Sequence, residues 1–292
     1  MKHLKYKLTA TLFGLALAAT GAQAQVVTIA TGQQGTIAFN SGQAVAKIAN
    51  ENGITARTQP LVGYLPLISS GEVDFGFSNA VEAGYALTGT GNYDRASANL
   101  RLVGVMFPLT TGLMAPCDLG LKTIADVKAR AGDLRIASEY TSSTIIPFYI
   151  SGGLANGGMT YDDFQQVPVS SFVAGMEALG DNLVDIALVS LNAGAGKQAA
   201  VKLQSRGGLC YVSLDNSEAG ASAFKKFLPA GSLASLKQNE NILGLENGPA
   251  TIMRIPWMML TNGDVSDDLV YNLTKAIVEN KDALTKSFGL FR

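Results

Sequence analysis

Gly71-Glu72-Val73-Asp74-Phe75-Gly76-Phe77-Ser78 and, further along, Gly180-Asp181-Asn182-Leu183-Val184-Asp185-Ile186-Ala187-Leu188 read alike. Each starts with a glycine that suits the end of a helix, continues with Val-Asp, and runs into an apolar strand that ends in Ser or Asn. Asp74 and Asp185 stand where the two strands begin. Chance likeness is the alternative, because a helix-glycine-strand join is common. Taken as a repeat, the two stretches predict two similar α/β halves. Open α/β sheets bind ligands at the carboxyl ends of their strands, so two such halves would turn those ends toward one cleft.

The surrounding sequence fits this reading. Val26–Ala30 is apolar and β-branched and predicts a buried strand, followed by a turn over Thr31–Thr36 and a helix pattern to Asn50. Strands are expected at Ala56–Gln59, Phe75–Ser78 and Leu100–Phe107, with helices at Leu65–Ser70 and Asn79–Leu87. The alternation then restarts. Gly112–Ala115, Leu134–Ala137, Val167–Val169, Asp185–Val189 and Cys210–Leu214 read as strands. Thr123–Arg130, opened by a Thr123/Asp126 capping box, reads as a helix, as do Ser142–Leu154, the segment through Met176 and Leu179, Ala193–Gln204, Ser217–Phe227 and Leu233–Lys237. Ala250–Leu260 is extended, and its Pro256 suits an edge or a crossover. Ser266–Ser287 reads as one amphipathic helix. Strands alternating with helices imply mostly parallel sheets flanked by helices.

The chain has 292 residues, a formal net charge of −1 and only 15% charged residues. A near-neutral charge argues against a nucleic-acid partner, which needs a basic face. Residues 1–24 read as a signal peptide, with Lys2, His3, Lys5 and Lys7 before an apolar Leu8–Thr20 and a small-x-small Ala22-Gln23-Ala24. Removing its three lysines from the 22 basic residues leaves 19 against 23 acidic ones. The removed segment also carries His3, the sole histidine, so histidine-based triads, dyads and zinc sites are excluded from the exported chain. No cofactor or metal is expected. Export exposes Cys117 and Cys210 to an oxidising compartment; they either form a disulfide or stay as two buried thiols.

Four strand-to-helix turns hold the candidate ligand contacts. Thr31, Gln34, Gly35 and Thr36 form the first, where glycine lets backbone approach a ligand and the next helix presents free N–H groups. Tyr64 follows Gly63 in the second and serves equally well as packing or as a ligand-covering ring. Ser78 and Asn79, with Glu82 one helical turn on, make the third. Glu139, Ser142, Ser143 and Thr144 make the fourth, whose hydroxyls exceed what one helix cap needs. Asn192 ends the repeated motif, and Trp257 suits either a hinge or a core. Arg254 is the best-placed arginine for a carboxylate clamp.

Ile29-Ala30-Thr31-Gly32 with Gly35-Thr36, Ser70-Gly71-Glu72-Val73-Asp74, Ile124-Ala125-Asp126-Val127-Lys128, and Val270–Ala276 with Glu279-Asn280 together resemble the TAXI family of solute-binding proteins of TRAP transporters. The chain departs from that family at Gln33-Gln34, at Ile37-Ala38 and at Ala129-Arg130, and family chains usually continue past Phe288-Gly289-Leu290. The resemblance implies a two-lobed periplasmic-binding-protein fold with two hinge crossovers, lobe A being 25–107 plus 251–292 and lobe B 108–250. It implies a monomeric periplasmic receptor that takes a small organic acid or amino acid and hands it to a TRAP-type membrane permease. Two other classes remain in view: a sensor subunit for a membrane kinase, and an enzyme built on the carboxylates of Glu82 and Glu139.

Overall fold

The computed structural model describes residues 26–190, 193–246 and 248–291, so the signal-peptide reading and Asn192 lie outside the described residues. In chain order the elements are β1 (Val27–Thr31), α1 (Ile37–Glu51), β2 (Ala56–Pro60), α2 (Leu65–Ser69), β3 (Phe75–Asn79), α3 (Ala80–Thr88), β4 (Leu100–Pro116), α4 (Ile124–Lys128), β5 (Arg135–Glu139) and α5 (Ile146–Asn156). They continue with β6 (Gln165–Val169), α6 (Phe172–Gly180), β7 (Ala187–Ser190), α7 (Gly194–Lys202), β8 (Leu209–Tyr211), α8 (Glu218–Lys225), β9 (Ser232–Leu236), β10 (Ala250–Asn262), α9 (Asp267–Glu279) and α10 (Lys281–Ser287).

The two repeated stretches fold the same way down to single hydrogen bonds. The left-handed residue that ends each helix is Gly71 (φ 80°) in the first and Asn182 (φ 59°) in the second. The sequence comparison aligned Gly71 with Gly180; the structure aligns it with Asn182, two residues before Val184-Asp185. Asparagine tolerates this backbone region better than most residues. Gly180 instead closes α6, where a Cβ would lie 2.9 Å from the Ala199 Cα. After Gly71 the N–H groups of Glu72 and Val73 both reach the Leu67 carbonyl; after Asn182 those of Leu183 and Val184 both reach the Ala178 carbonyl. Asp74 then accepts the Thr28 N–H at 2.7 Å, and Asp185 accepts the Arg135 N–H at 2.9 Å. Each aspartate thus ties the start of its strand to the start of the neighbouring parallel strand, so β2-β1-β3 and β6-β5-β7 are two copies of one arrangement. Burial pushes the Asp185 carboxyl up, but hydrogen bonds from Arg135 outweigh it and hold it below the usual carboxylate value. Asp74→Ala and Asp185→Ala should each cost about 2 kcal/mol, because each leaves a half-buried N–H unpaired. Urea melts of both variants check this; a loss confined to one of them would deny the equivalence.

The main sheet runs β2-β1-β3-β10-β4-β7, with β8 against β4 and β9 against β10. β4 and β10 are the long antiparallel strands that serve both halves. Their residues belong to two core clusters: Leu113, Met114, Ile252, Met253 and Ile255 pack with the 113–255 half, while Phe107, Leu109, Trp257 and Met259 pack with the β1–β3 half. The sequence had split β4 into two strands, yet it is continuous through Pro108. Pro108 lies opposite Pro256. On its other side, β10 leaves β9 after Arg254 and meets β3 only from Trp257. β7 joins β4 only from Thr111. Both prolines therefore sit where the missing N–H strands no third strand, which is how Pro256 fits inside a central strand.

Two further expectations change. Leu233–Lys237 is not helical: Ser232–Leu236 is β9, paired antiparallel with β10 from Ala250 to Arg254. The open side of β10 there claims the segment, so tertiary pairing overrides local preference. The expected single helix over Ser266–Ser287 is broken into α9 and α10 at Asn280 (φ −114°, ψ 32°). The Asn280 side chain donates to the Ala276 carbonyl at 2.9 Å, competing with the backbone for it. The C-terminal segment then folds back, and Phe288 and Phe291 pack edge-on against Phe107.

Cys117 and Cys210 form a disulfide with Cα atoms 5.0 Å apart. It staples the short strand β8 to the end of β4.

Candidate functional site

The carboxyl ends of β1, β3, β5 and β7 open onto a cavity of about 170 Å³ lined by residues of both halves. The first wall begins at β1. Thr31 packs directly over α1, where a Cβ at Gly42 would lie 2.2 Å from the Thr31 Cγ2. That close approach fixes the turn that follows. Thr36 caps α1, accepting the Phe39 N–H at 3.2 Å and donating to the Gln33 carbonyl at 2.7 Å. Gly32, Gln33 and Thr36 face the cavity. Tyr64 lies across it with its hydroxyl donating to the Phe77 carbonyl.

At the end of β3 the Asn79 Oδ1 accepts the Glu82 N–H at 2.9 Å and caps α3. This places the Glu82 carboxylate beside the cavity, where Ser78 (3.2 Å), Asn79 (3.3 Å) and Tyr93 (3.1 Å) donate to it. Burial raises the Glu82 pKa, and these three donors only partly offset it. Among the described lining residues Glu82 is the only carboxylate, and there is no lysine or arginine.

The opposite wall follows β5. Glu139 (φ 64°) and Tyr140 (φ 51°) are consecutive left-handed non-glycine residues, a backbone that costs on the order of 1–3 kcal/mol per residue. The fully buried Tyr140 ring and a 2.7 Å bond from the Ser143 N–H to the Tyr140 carbonyl hold this turn. It directs Ser142 and Ser143 at the cavity, while α5 begins only at Ile146, four residues later than expected. One turn into α5, Tyr149 also lines the cavity; it is 2% exposed, and its hydroxyl has no hydrogen-bond partner among the described residues. Trp257 closes the base, stacked on Phe107 with its Nε1–H donating to the Ser41 Oγ at 3.1 Å.

The model of the NMT1-like family matches residues 29–291, nearly the whole described chain. The chain belongs to the NMT1-like family. Among solved structures, this NMT1-like chain is similar to one described as a periplasmic transporter (11% identity, TM-score 0.59, covering 91% of this chain and 87% of that one). It is similar to MatC from Rhodopseudomonas palustris with bound malate (13%, TM-score 0.59, 91% and 88%). It is also similar to an ancestral arginine-binding protein bound to arginine (14%, TM-score 0.52, 90% and 96%). The fold is the two-domain α/β fold of periplasmic binding proteins, a mixed sheet with flanking helices.

Of the contacts expected from the sequence of this NMT1-like protein, the structure gathers Thr36, Tyr64, Asn79, Ser142 and Ser143 around the cavity. Thr31 is buried behind it, and Gln34 is exposed and absent from the lining, its neighbour Gln33 standing there instead. Gly35 abuts Ala195 of the other half. Ser78 bonds to Glu82 from outside the lining. Thr144 accepts from Asn92 at 3.0 Å, a bond joining the two halves at the rim. Glu139 is exposed and does not line the cavity, so it forms no carboxylate pair there with Glu82. Arg254 is likewise exposed and outside the lining. The surplus hydroxyls of the fourth turn are largely spent on chain ties: Ser142 donates to the Ser170 carbonyl at 2.7 Å, and Ser143 accepts the Phe172 N–H at 3.1 Å. Tyr149, Phe172 and Thr111 line the site with nothing in the sequence to mark them, and Ser190, which with Asn192 ends the repeated motif, lines it too. Among the described residues no group of three or more His, Cys, Asp or Glu could hold a metal ion.

The raised Glu82 pKa has a consequence for stability. The folded state keeps this proton to higher pH than the unfolded chain does, so a penalty develops as pH rises from the ordinary value of 4.5 to the raised one and persists above it. Glu82→Gln should therefore raise the melting temperature of the ligand-free protein near neutral pH, and the gain should disappear as pH falls below 4.5. Scanning calorimetry across pH measures this. An unchanged or lower melting temperature at neutral pH would contradict it.

Proposed function

We propose that this chain is an extracytoplasmic solute receptor of the TAXI type, carrying a small organic acid or amino acid in its cleft to a TRAP-type membrane permease. The observation that carries the reading is the cavity between two repeats, walled by the strand ends of both. The lobes are those expected, 25–107 with 251–292, and 108–250, joined through β4 and β10, except that the second crossing moves to Pro256, because Ile252, Met253 and Ile255 pack with the second lobe. Rim contacts such as Asn92–Thr144 and the Tyr85 hydroxyl on the Phe227 carbonyl (2.6 Å) are the kind that form only when the lobes shut. Closure requires a solute that binds the closed form better than the open one. Two of the similar structures hold malate and arginine, small solutes of the size such a cleft encloses. The signal peptide read at residues 1–24 would place the receptor in the periplasm; the reading takes it to act there as a monomer, with no catalytic step.

The test is mass spectrometry of whatever small molecule the natively purified protein releases on denaturation, followed by thermal shifts with that molecule. A solute present at about 100 times its Kd stabilises by ~2.7 kcal/mol. A released solute that stabilises the protein and is recovered chemically unchanged supports the reading. No released molecule and no stabilising compound, or conversion of the bound one, overturns it.

A further inference from the structure

Resting on the receptor reading, we propose that the solute carries a protonated nitrogen, received between the Glu82 carboxylate of one lobe and the Tyr149 hydroxyl of the other. Three observations converge on this. The first is charge. Among the described residues the cavity lining holds one carboxylate and no basic side chain, so no lining cation neutralises Glu82. A carboxylate taken out of water without a counter-charge is costly. An organic acid lacking nitrogen would add a second negative charge beside it.

The second is the polarity of the Glu82 surroundings. The Asn79 Oδ1 is committed to the Glu82 N–H at 2.9 Å, so its amide nitrogen must face the carboxylate. That nitrogen only donates. The Ser78 and Tyr93 hydroxyls also bond to the same group, at 3.2 and 3.1 Å. The set is arranged around an anion, with neutral groups only and long bonds. A cation is the missing partner.

The third is Tyr149. Its hydroxyl is buried, lines the cavity from the opposite wall and has no partner among the described residues. An unpartnered buried hydroxyl forfeits about 1–3 kcal/mol. It stands near enough to Glu82 that the carboxylate, after burial itself, helps raise the tyrosine pKa. An ammonium has three N–H donors, enough to bond Glu82 from one lobe and the Tyr149 oxygen from the other. A solute of this kind bridges the lobes, as closure requires. Its carboxylate, if present, would meet Ser143, whose oxygen accepts from Phe172 and whose proton is not spent on any acceptor among the described residues.

The experiment is calorimetric titration and thermal shift with amino acids, each paired with the 2-hydroxy acid in which hydroxyl replaces the amine, against wild type, Glu82→Gln and Tyr149→Phe. At least one amino acid should bind wild type, and its hydroxy acid should bind about 30-fold more weakly. Glu82→Gln should weaken the amino acid by about 30-fold and bind the hydroxy acid at least as tightly as wild type does, because the repulsion between the two carboxylates is gone. Tyr149→Phe, which keeps the ring and its packing, should weaken the amino acid by about 10-fold. A hydroxy acid that binds wild type as well as its amino acid, or an amino acid whose affinity survives both substitutions, overturns the proposal and leaves the receptor reading standing. Failure of both series together with any solute released from the purified protein overturns the receptor reading, and this proposal with it.

Discussion

Replacing Cys117 and Cys210 together by alanine should lower the unfolding free energy by about 4 to 5 kcal/mol. The two residues are 93 apart in sequence, so the disulfide closes a long loop and removes much of the freedom of the unfolded chain. It acts at a weak place. β8 is three residues long and meets the main sheet through its pairing with the last residues of β4. Without the covalent tie, that short ladder must hold the end of β4 against the Leu209–Tyr211 segment unaided. Urea melts of wild type with and without reductant, beside the double variant, measure the effect. A shift below about 1 kcal/mol would show that the bridge adds little to the pairing already there.

Trp257→Ala should cost about 3–5 kcal/mol. The indole is 7% exposed, stacks on Phe107 at a centroid distance of 6.3 Å and donates to a fully buried Ser41 hydroxyl. Removing it empties the base of the cavity next to the Pro108–Pro256 pair, where β10 passes from one core cluster to the other. It also withdraws one face of the Phe107, Phe288 and Phe291 cluster. The lost aromatic contacts and the void add to each other. Trp257→Phe, which keeps most of the volume, should lose less than half as much. Equal losses for the two variants would place the energy in the indole N–H bond rather than in packing.

The fold was legible because a short signal was written twice. Val-Asp at the start of a strand carries specific hydrogen-bond work, tying Asp74 to Thr28 and Asp185 to Arg135, so it recurs where the geometry recurs. What the sequence misplaced depended on partners far along the chain. Ser232–Leu236 is a strand because β10 has an open side there, and β4 runs through Pro108 because Pro256 faces it. Neither fact lies within a local window.

The site divides the same way. Strand-to-helix turns could be found from the alternation alone, and four of them do surround the cavity. Which side chain faces in could not. Gln33 and Gln34 differ only by the twist of one turn, and Tyr149 sits in an apolar helix run that reads as plain core. Ser142 and Ser143 both read as spare donors, yet Ser142 spends its proton on the Ser170 carbonyl, while Ser143 accepts from Phe172 and keeps its own. In the sequence Glu82 is marked as a neighbour of the third turn and as one carboxylate of a possible pair with Glu139. The structure turns that mark into the central chemical feature of the cleft.

Trp257 offers the most direct measurement of the central claim, that solute is held in the cavity between the two repeats. It is the only tryptophan in the chain, and it lines that cavity. Titrating the protein with its released solute while recording tryptophan emission should give a saturable change that reaches its end point at one solute per chain, with the same midpoint as calorimetry. Calorimetric binding with no change in emission would place the solute elsewhere and contradict the account.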